Sequence, residues 1–292
     1  MDLHHPLVQS LLLPLVVSFM VTGMLRGALG PVQGRRWASA GAALAIVGTA
    51  AWQLGWRLPP GTLTERLPWI FAAAALLGFV LELMRASRRA EWLAAGVLWA
   101  LILAVVATRA FPLLVGMLLL GLAVMRAVLR EHAARADAAA VLVVVSLGLA
   151  AAAMLAGSAL LFELSLALAA SVAGCALWLW PIVRIAFGAS GVVAASLSWL
   201  ALMLATIRLT DVRLLTLLLL SGAFTSGPLV RWGRGRLQRR APPPGGRART
   251  WVEPLIVALV AAAWTAAALA FAVWGASEMP SAADDPYYKP KW

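Results

Sequence analysis

Acidic residues inside apolar segments are the groups of this chain with the clearest chemical potential. A bare charge in the middle of a membrane helix costs about 2.5 kcal/mol or more, so such a residue usually has a function or a partner. Glu163, in the segment FELSLALAAS, lies about 7.5 Å below the outer end of its predicted helix, at a rise of about 1.5 Å per residue. We interpret Glu163 as a candidate substrate or proton site.

Two other interpretations of Glu163 remain open. It could form a structural ion pair with Arg208 or Arg213, at the outer ends of neighbouring predicted helices, or it could snorkel to the lipid edge. Glu82, one turn from Arg85, and Glu253, beside a basic loop, lie at the predicted inner ends of their helices. We interpret both as snorkelling or paired at the membrane interface.

Most catalytic and cofactor chemistries lack their residues in this chain. The histidines His4, His5 and His132 lie outside the predicted spans, where they could not hold a haem inside the bundle. Cys175 is the only cysteine, which excludes an intrachain disulfide and a thiolate metal cluster. No metalloprotease or phosphate-binding loop motif is present. The sequence therefore predicts no catalytic residue, no cofactor and no metal, and it argues against an enzyme.

The C-terminal sequence SEMPSAADDPYYKPKW differs in composition from the rest of the chain. Tyr287, Tyr288 and Trp292 lie among lysines and prolines, and proline favours an extended segment that cannot continue a helix. Aromatic residues on an extended strip are typical of docking peptides, so we interpret these three as candidate partner-docking residues. A frayed terminus resting on the outer membrane interface is the alternative.

The elements that would position these residues are membrane helices. Of the 292 residues, 63% are hydrophobic and 12% are charged, which predicts a polytopic all-α bundle. The arginines lie between apolar runs rather than on one face, so the net charge of +12 does not indicate nucleic acid binding. About ten spans are predicted: 7–27, 38–56, 68–84, 92–108, 111–129, 138–156, 158–180, 183–207, 212–230 and 252–275.

The stretch 231–250 carries seven arginines and no acid, and it sets the predicted orientation. Arginines beside membrane helices stay in the cytoplasm, so this loop is placed inside and both termini outside. Ten spans then put 17 of the 24 lysines and arginines inside. The prediction is a single transmembrane domain, 1–275, with an extracytoplasmic tail, 276–292, in a bacterial-type cytoplasmic (inner) membrane.

Two functions fit these observations. In size and helix count the chain resembles the ten-helix drug/metabolite permeases, which differ in having both termini in the cytoplasm; no residue is assigned from that resemblance. The first function is a permease-like carrier of a small, weakly polar solute. The alternative is a non-catalytic scaffolding or accessory subunit of a larger membrane complex, bound by other membrane subunits or by an extracytoplasmic protein at the tail.

Overall fold

A computed structural model of the chain describes residues 8–106, 111–131, 135–238 and 252–277. Every regular element in these ranges is helical, which confirms the predicted all-α class. A helix suits these apolar runs because it satisfies its own backbone groups inside a bilayer. The α-helices are α1 (Leu13–Ala28), α2 (Arg35–Trp37), α3 (Ala40–Leu54), α4 (Leu63–Leu83), α5 (Arg88–Val105), α6 (Phe111–Leu129), α7 (Asp137–Leu155), α8 (Ala159–Ala176), α9 (Ala189–Leu209), α10 (Leu214–Gly222), α11 (Ser226–Gln238) and α12 (Glu253–Ser277).

Eight stretches of the described chain are long and apolar enough to cross a membrane. They are Val8–Ala28, Leu63–Leu83, Pro112–Leu129, Asp137–Leu155, Ala159–Ala176, Ala189–Leu209, Leu214–Gly233 and Glu253–Trp274. Two further helices occupy predicted spans. Helix α3 has only 15 residues, and α5 carries three charged residues in its first turn. The chain is therefore a multi-pass membrane protein, and the count of ten spans stays a prediction.

Helix α9 lies in the centre of the bundle. Every residue from Ala189 to Thr206 is buried, and α3, α4, α5, α6, α7 and α8 all pack against this helix. Lipid tails are as apolar as leucine, so close packing rather than a hydrophobic drive holds membrane helices together. The surrounding helices are therefore positioned by how closely they can approach α9 and one another.

Small residues allow these close approaches. A Cβ added at Gly78 of α4 would lie 2.9 Å from Ser190 Cα of α9, a distance that real side chains do not adopt. Helix α1 approaches α8 in the same way, because Gly174 leaves room for the Leu15 carbonyl oxygen. There the Ser18 Oγ also donates a hydrogen bond to the Ser171 carbonyl at 2.6 Å.

Two buried tryptophans connect neighbouring helices. Trp99 of α5 donates its indole N–H to the Met117 carbonyl of α6 at 3.0 Å, and Trp199 of α9 donates to the Val145 carbonyl of α7 at 3.2 Å. Both side chains are fully buried. A buried indole needs such an acceptor, so these bonds fix the relative height of the paired helices.

We define the arginine-rich end of the bundle as the end where α1, α4, α6 and α8 finish and where α3, α5, α7, α9 and α12 begin. Arg26 Nε donates to the Arg184 carbonyl there at 3.1 Å, and Arg88 Nη1 donates to the Leu129 carbonyl at 2.9 Å. At the opposite end, Thr62 and Glu65 form a capping box that starts α4.

Several boundaries differ from the predicted spans. Helix α8 ends at Ala176 rather than near 180, and α9 begins at Ala189 rather than near 183. The connection contains Pro181, which has no N–H for a helix, and the Ala186 N–H donates to the Arg35 carbonyl at 2.8 Å instead. Helix α11 extends to Gln238. Residues 231–238 of the predicted basic loop are therefore helical.

Candidate functional site

A polar site surrounds the first turn of α9. Glu82, near the end of α4, accepts hydrogen bonds from the Ser190 backbone N–H at 3.2 Å and from Arg36 Nε at 2.9 Å. The Glu82 side chain is 7% exposed and the Arg36 side chain is 28% exposed. The N–H groups and dipole of a helix N-terminus stabilise negative charge. Glu82 is thus a buried carboxylate held by an arginine and by a helix N-terminus.

Two hydroxyls and a glycine complete this arrangement. The Oγ atoms of Ser39 and Ser190 are 2.9 Å apart, and the Gly188 N–H donates to the Ser39 Oγ at 3.1 Å. A side chain at Gly188 would collide with the Glu82 carboxylate, so the close approach requires glycine. We call Arg36, Ser39, Glu82 and Ser190 the α9 site.

A second polar site lies at the start of α7. Glu131, just after α6, accepts hydrogen bonds from both terminal nitrogens of Arg231 in α11. The bond from Nη2 to Oε1 measures 2.8 Å. Paired contacts between a guanidinium and a carboxylate are among the strongest in proteins, and they also fix the orientation of both groups. This pair ties α11 to the end of α6.

Arg135 connects the other two carboxylates of the second site. Its Nη2 lies 3.0 Å from Glu253 Oε2 and its Nη1 lies 3.1 Å from Glu253 Oε1, at the start of α12. The same Nη1 is 3.7 Å from Asp137 Oδ2, at the start of α7, which is beyond hydrogen-bond distance. Asp137 is 2% exposed, and its Oδ1 has no hydrogen-bond partner. We call Glu131, Arg135, Asp137, Arg231 and Glu253 the α7 site.

The two sites share one design, a buried acid covered by an arginine that reaches solvent. The side chains of Glu82, Glu131 and Glu253 are 6–8% exposed, whereas those of their arginine partners are 28–41% exposed. Removing one partner of a buried pair costs about 3–5 kcal/mol, because the remaining charge is left buried. Such pairs can hold one end of the bundle closed, and each acid can take up a positive charge if its arginine moves.

The structure places Glu163 as the fifth residue of α8, half-buried. Within the described residues no ion pair joins it to Arg208 or Arg213. Arg208 Nη2 instead donates to the Val106 carbonyl at 3.4 Å, and the Arg213 guanidinium lies 6.0 Å from the Phe271 ring centroid. The role of Glu163 as a substrate or proton site stays a prediction.

Several other predicted residues fall outside the described ranges. These are the tail residues Tyr287, Tyr288 and Trp292 and the histidines His4, His5 and His132. Cys175 is described; it is a free thiol, fully buried in α8. That placement agrees with a small core residue.

Sequence reasoning missed two residues of the α7 site, Glu131 and Asp137. A signal was present, because both lie in the short connection between two predicted helices and each has an arginine within two positions. For Glu82 the predicted neighbour was Arg85, whereas the structure pairs it with Arg36, 46 positions away. Contacts over that distance leave no local pattern.

No model of a known protein family matches this chain, and no curated protein matches it in sequence.

Proposed function

We propose that the protein is a permease-like carrier of a small, weakly polar solute, with ten spans in a bacterial-type cytoplasmic membrane and its arginine-rich end inside. The proposal is supported by the location of the ion pairs that join distant parts of the chain, at one end of the bundle. The described residues hold three such pairs, and all lie at the arginine-rich end: Arg36–Glu82, Arg231–Glu131 and Arg135–Glu253.

The opposite end is held differently. Its ion pair within the described ranges, Arg57–Glu65, joins residues that are eight positions apart, and the Arg57 side chain is 72% exposed. A carrier that works by alternating access keeps one end of its bundle closed while the other opens. Pairs whose arginines already reach solvent suit a closed end that can open, because water can replace the arginine at the acid.

The interior supports the proposed solute class. Ser146, Ser165, Ser196 and Ser198 are buried in α7, α8 and α9, and their hydroxyls have no hydrogen-bond partner. A hydroxyl both donates and accepts a hydrogen bond. The buried part of α9, from Ala189 to Thr206, carries no charged residue. These groups favour an uncharged solute with few polar atoms.

Cysteine accessibility tests the carrier without knowledge of the solute. Ser198, fully buried in the middle of α9, is replaced by cysteine in a Cys175→Ser background. Membrane vesicles of each orientation are then treated with a membrane-impermeant thiol reagent. If the protein is a carrier, the thiol at position 198 should react from at least one side of the membrane. Its reaction should be faster when Arg231→Gln weakens the arginine-rich end.

The unaltered protein is the matched control, because its single thiol, Cys175, is also fully buried. Labelling of Cys175 would report unfolding rather than an open pathway. If Ser198→Cys stays unlabelled from both sides, with and without Arg231→Gln, the bundle is static and the carrier proposal is wrong.

An accessory subunit is the second candidate, and the outer faces of the peripheral helices favour it. Only 22% of the apolar span in α12 is buried, and Leu255, Ile256 and Leu259 are exposed on it. A partner helix could cover this face in place of lipid, and the tail with Tyr287, Tyr288 and Trp292 could dock an extracytoplasmic protein.

Deleting residues 284–292 should then release a defined partner from the purified complex. Unchanged partners would remove the tail from this proposal.

A further inference from the structure

We propose that Asp137 is a proton-binding site, whose carboxyl group exchanges a proton with solvent at the arginine-rich end. The site is independent of the carrier proposal, because it depends on the charge balance and contacts of the α7 site alone. The site is also distinct from Glu163. That residue lies near the start of α8, in the half of the bundle away from the arginine-rich end, and is only half-buried.

Within the described residues the α7 site has one more carboxylate than guanidinium groups. Arg231 binds both oxygens of Glu131, and Arg135 binds both oxygens of Glu253. Asp137 receives only the 3.7 Å approach of Arg135 Nη1 at Oδ2. The two arginines are thus engaged by the other acids, and Asp137 is the acid that lacks a strong partner.

The Oδ1 atom of Asp137 is the position at which a proton would bind. It is buried and accepts no hydrogen bond, and a buried ionised oxygen without donors is among the costliest arrangements in a protein. One proton delivered to Oδ1 by hydronium, which leaves as water, removes the negative charge and breaks no bond within the protein. The Arg135 side chain beside it is 41% exposed, which gives that water a route.

Four charged groups face Asp137 at this end. They are Glu131 after α6, Arg135 before α7, Arg231 of α11 and Glu253 of α12. Helix α8 brings only the buried thiol of Cys175 to this end, and that thiol lies beside Thr22 of α1. The described parts of α9 and α10 bring no charged residue to this end.

A proton fits the site better than a metal cation. A metal cation such as calcium takes about six to eight oxygen ligands. The carboxylate oxygens of Glu131 and Glu253 are held by arginines, so Asp137 Oδ1 is the unpaired carboxylate oxygen that the α7 site offers. A proton needs one oxygen only.

Infrared difference spectroscopy of the purified full-length protein tests the proposal. Spectra are recorded between about pH 5 and about pH 8, a range above the ordinary carboxyl pKa values of about 4. They should contain the titrating C=O band of a buried protonated carboxyl. Asp137→Asn should lose the band equivalent to one carboxyl group. Asp137→Glu should keep a titrating band at a shifted frequency. This variant provides the test if Asp137→Asn fails to fold. Glu65→Gln is the matched control, since that acid is paired with Arg57 at the opposite end.

Two results would overturn the proposal. One is a titrating band of equal size in the unaltered protein and in Asp137→Asn. The other is loss of the band when sodium chloride replaces choline chloride at constant pH, which would show a cation at Asp137 rather than a proton.

Discussion

The contact between Glu82 and Arg36 allows a sharp test, because its two partners differ in exposure. Arg36→Gln leaves the Glu82 carboxylate in place, 7% exposed, with the Ser190 N–H as its remaining partner. Glu82→Gln removes the charge but keeps an oxygen that can accept from Ser190. The Arg36 side chain, 28% exposed, can then turn to solvent. Removing the arginine should therefore destabilise the protein more than neutralising the acid.

The expected magnitudes follow from what each variant leaves behind. A carboxylate left buried without its cation costs about 3–5 kcal/mol of unfolding free energy. Loss of one charged hydrogen bond, with the remaining polar groups satisfied, costs about 1.5–3 kcal/mol. We expect Arg36→Gln in the first range and Glu82→Gln at the lower end of the second.

The assay is equilibrium unfolding in mixed micelles of a mild and a denaturing detergent, followed by the circular dichroism of the helices. Arg57→Gln is the matched control, because it breaks an arginine–glutamate pair whose arginine is 72% exposed. An exposed pair contributes about 0.2–1 kcal/mol. Equal losses for Arg36→Gln and Arg57→Gln, or a larger loss for Glu82→Gln than for Arg36→Gln, would refute the reasoning from burial.

Two further substitutions test other parts of the structure. Gly174→Ala should lower the unfolding free energy by about 1–3 kcal/mol, because the added methyl group would meet the Leu15 carbonyl oxygen of α1; Gly48→Ala, which meets nothing within 4 Å, is its control and should not destabilise. Glu163→Gln should leave the unfolding free energy within about 0.5 kcal/mol, since no ion pair joins Glu163 to Arg208 or Arg213 in the described residues. A larger loss would reveal a structural partner, whereas unchanged stability with a lost pH dependence of transport would support a coupling role.

Hydropathy predicted the helical class because apolar runs long enough to span a bilayer have few other solutions. It failed between α8 and α9, where apolar residues continue through a connection that contains Pro181 and ends at Gly188. An average over a window does not distinguish an apolar connection from a helix. The local signals were these two residues, and proline in particular disfavours a helix interior.

The sequence predicts where the acids of the candidate sites lie but not which residues they contact. The alternation of arginine-rich loops places Glu82, Glu131 and Glu253 at one end of the bundle, but it does not say which arginine each acid contacts. Glu131 and Arg231 are 100 positions apart. They are brought together because α11 packs against α7 and the 3₁₀ turn before α11, Ala223–Thr225, packs against α6. The sequence indicated Glu163 because of its predicted distance from the outer end of its helix. The structure indicates Asp137 because that acid is buried and one of its oxygens accepts no hydrogen bond.

The central claim is that the arginine-rich end, with the α9 site and the α7 site, faces the cytoplasm. Its most direct test uses single cysteines at residues 61, 133 and 243 in a Cys175→Ser background, of which 133 and 243 lie outside the described ranges. Intact cells, or spheroplasts if an outer membrane is present, are treated with a membrane-impermeant thiol reagent before and after permeabilisation. We expect labelling at 61 in intact cells and labelling at 133 and 243 only after permeabilisation. Protection of 61, or labelling of 133 or 243 in intact cells, would contradict this orientation.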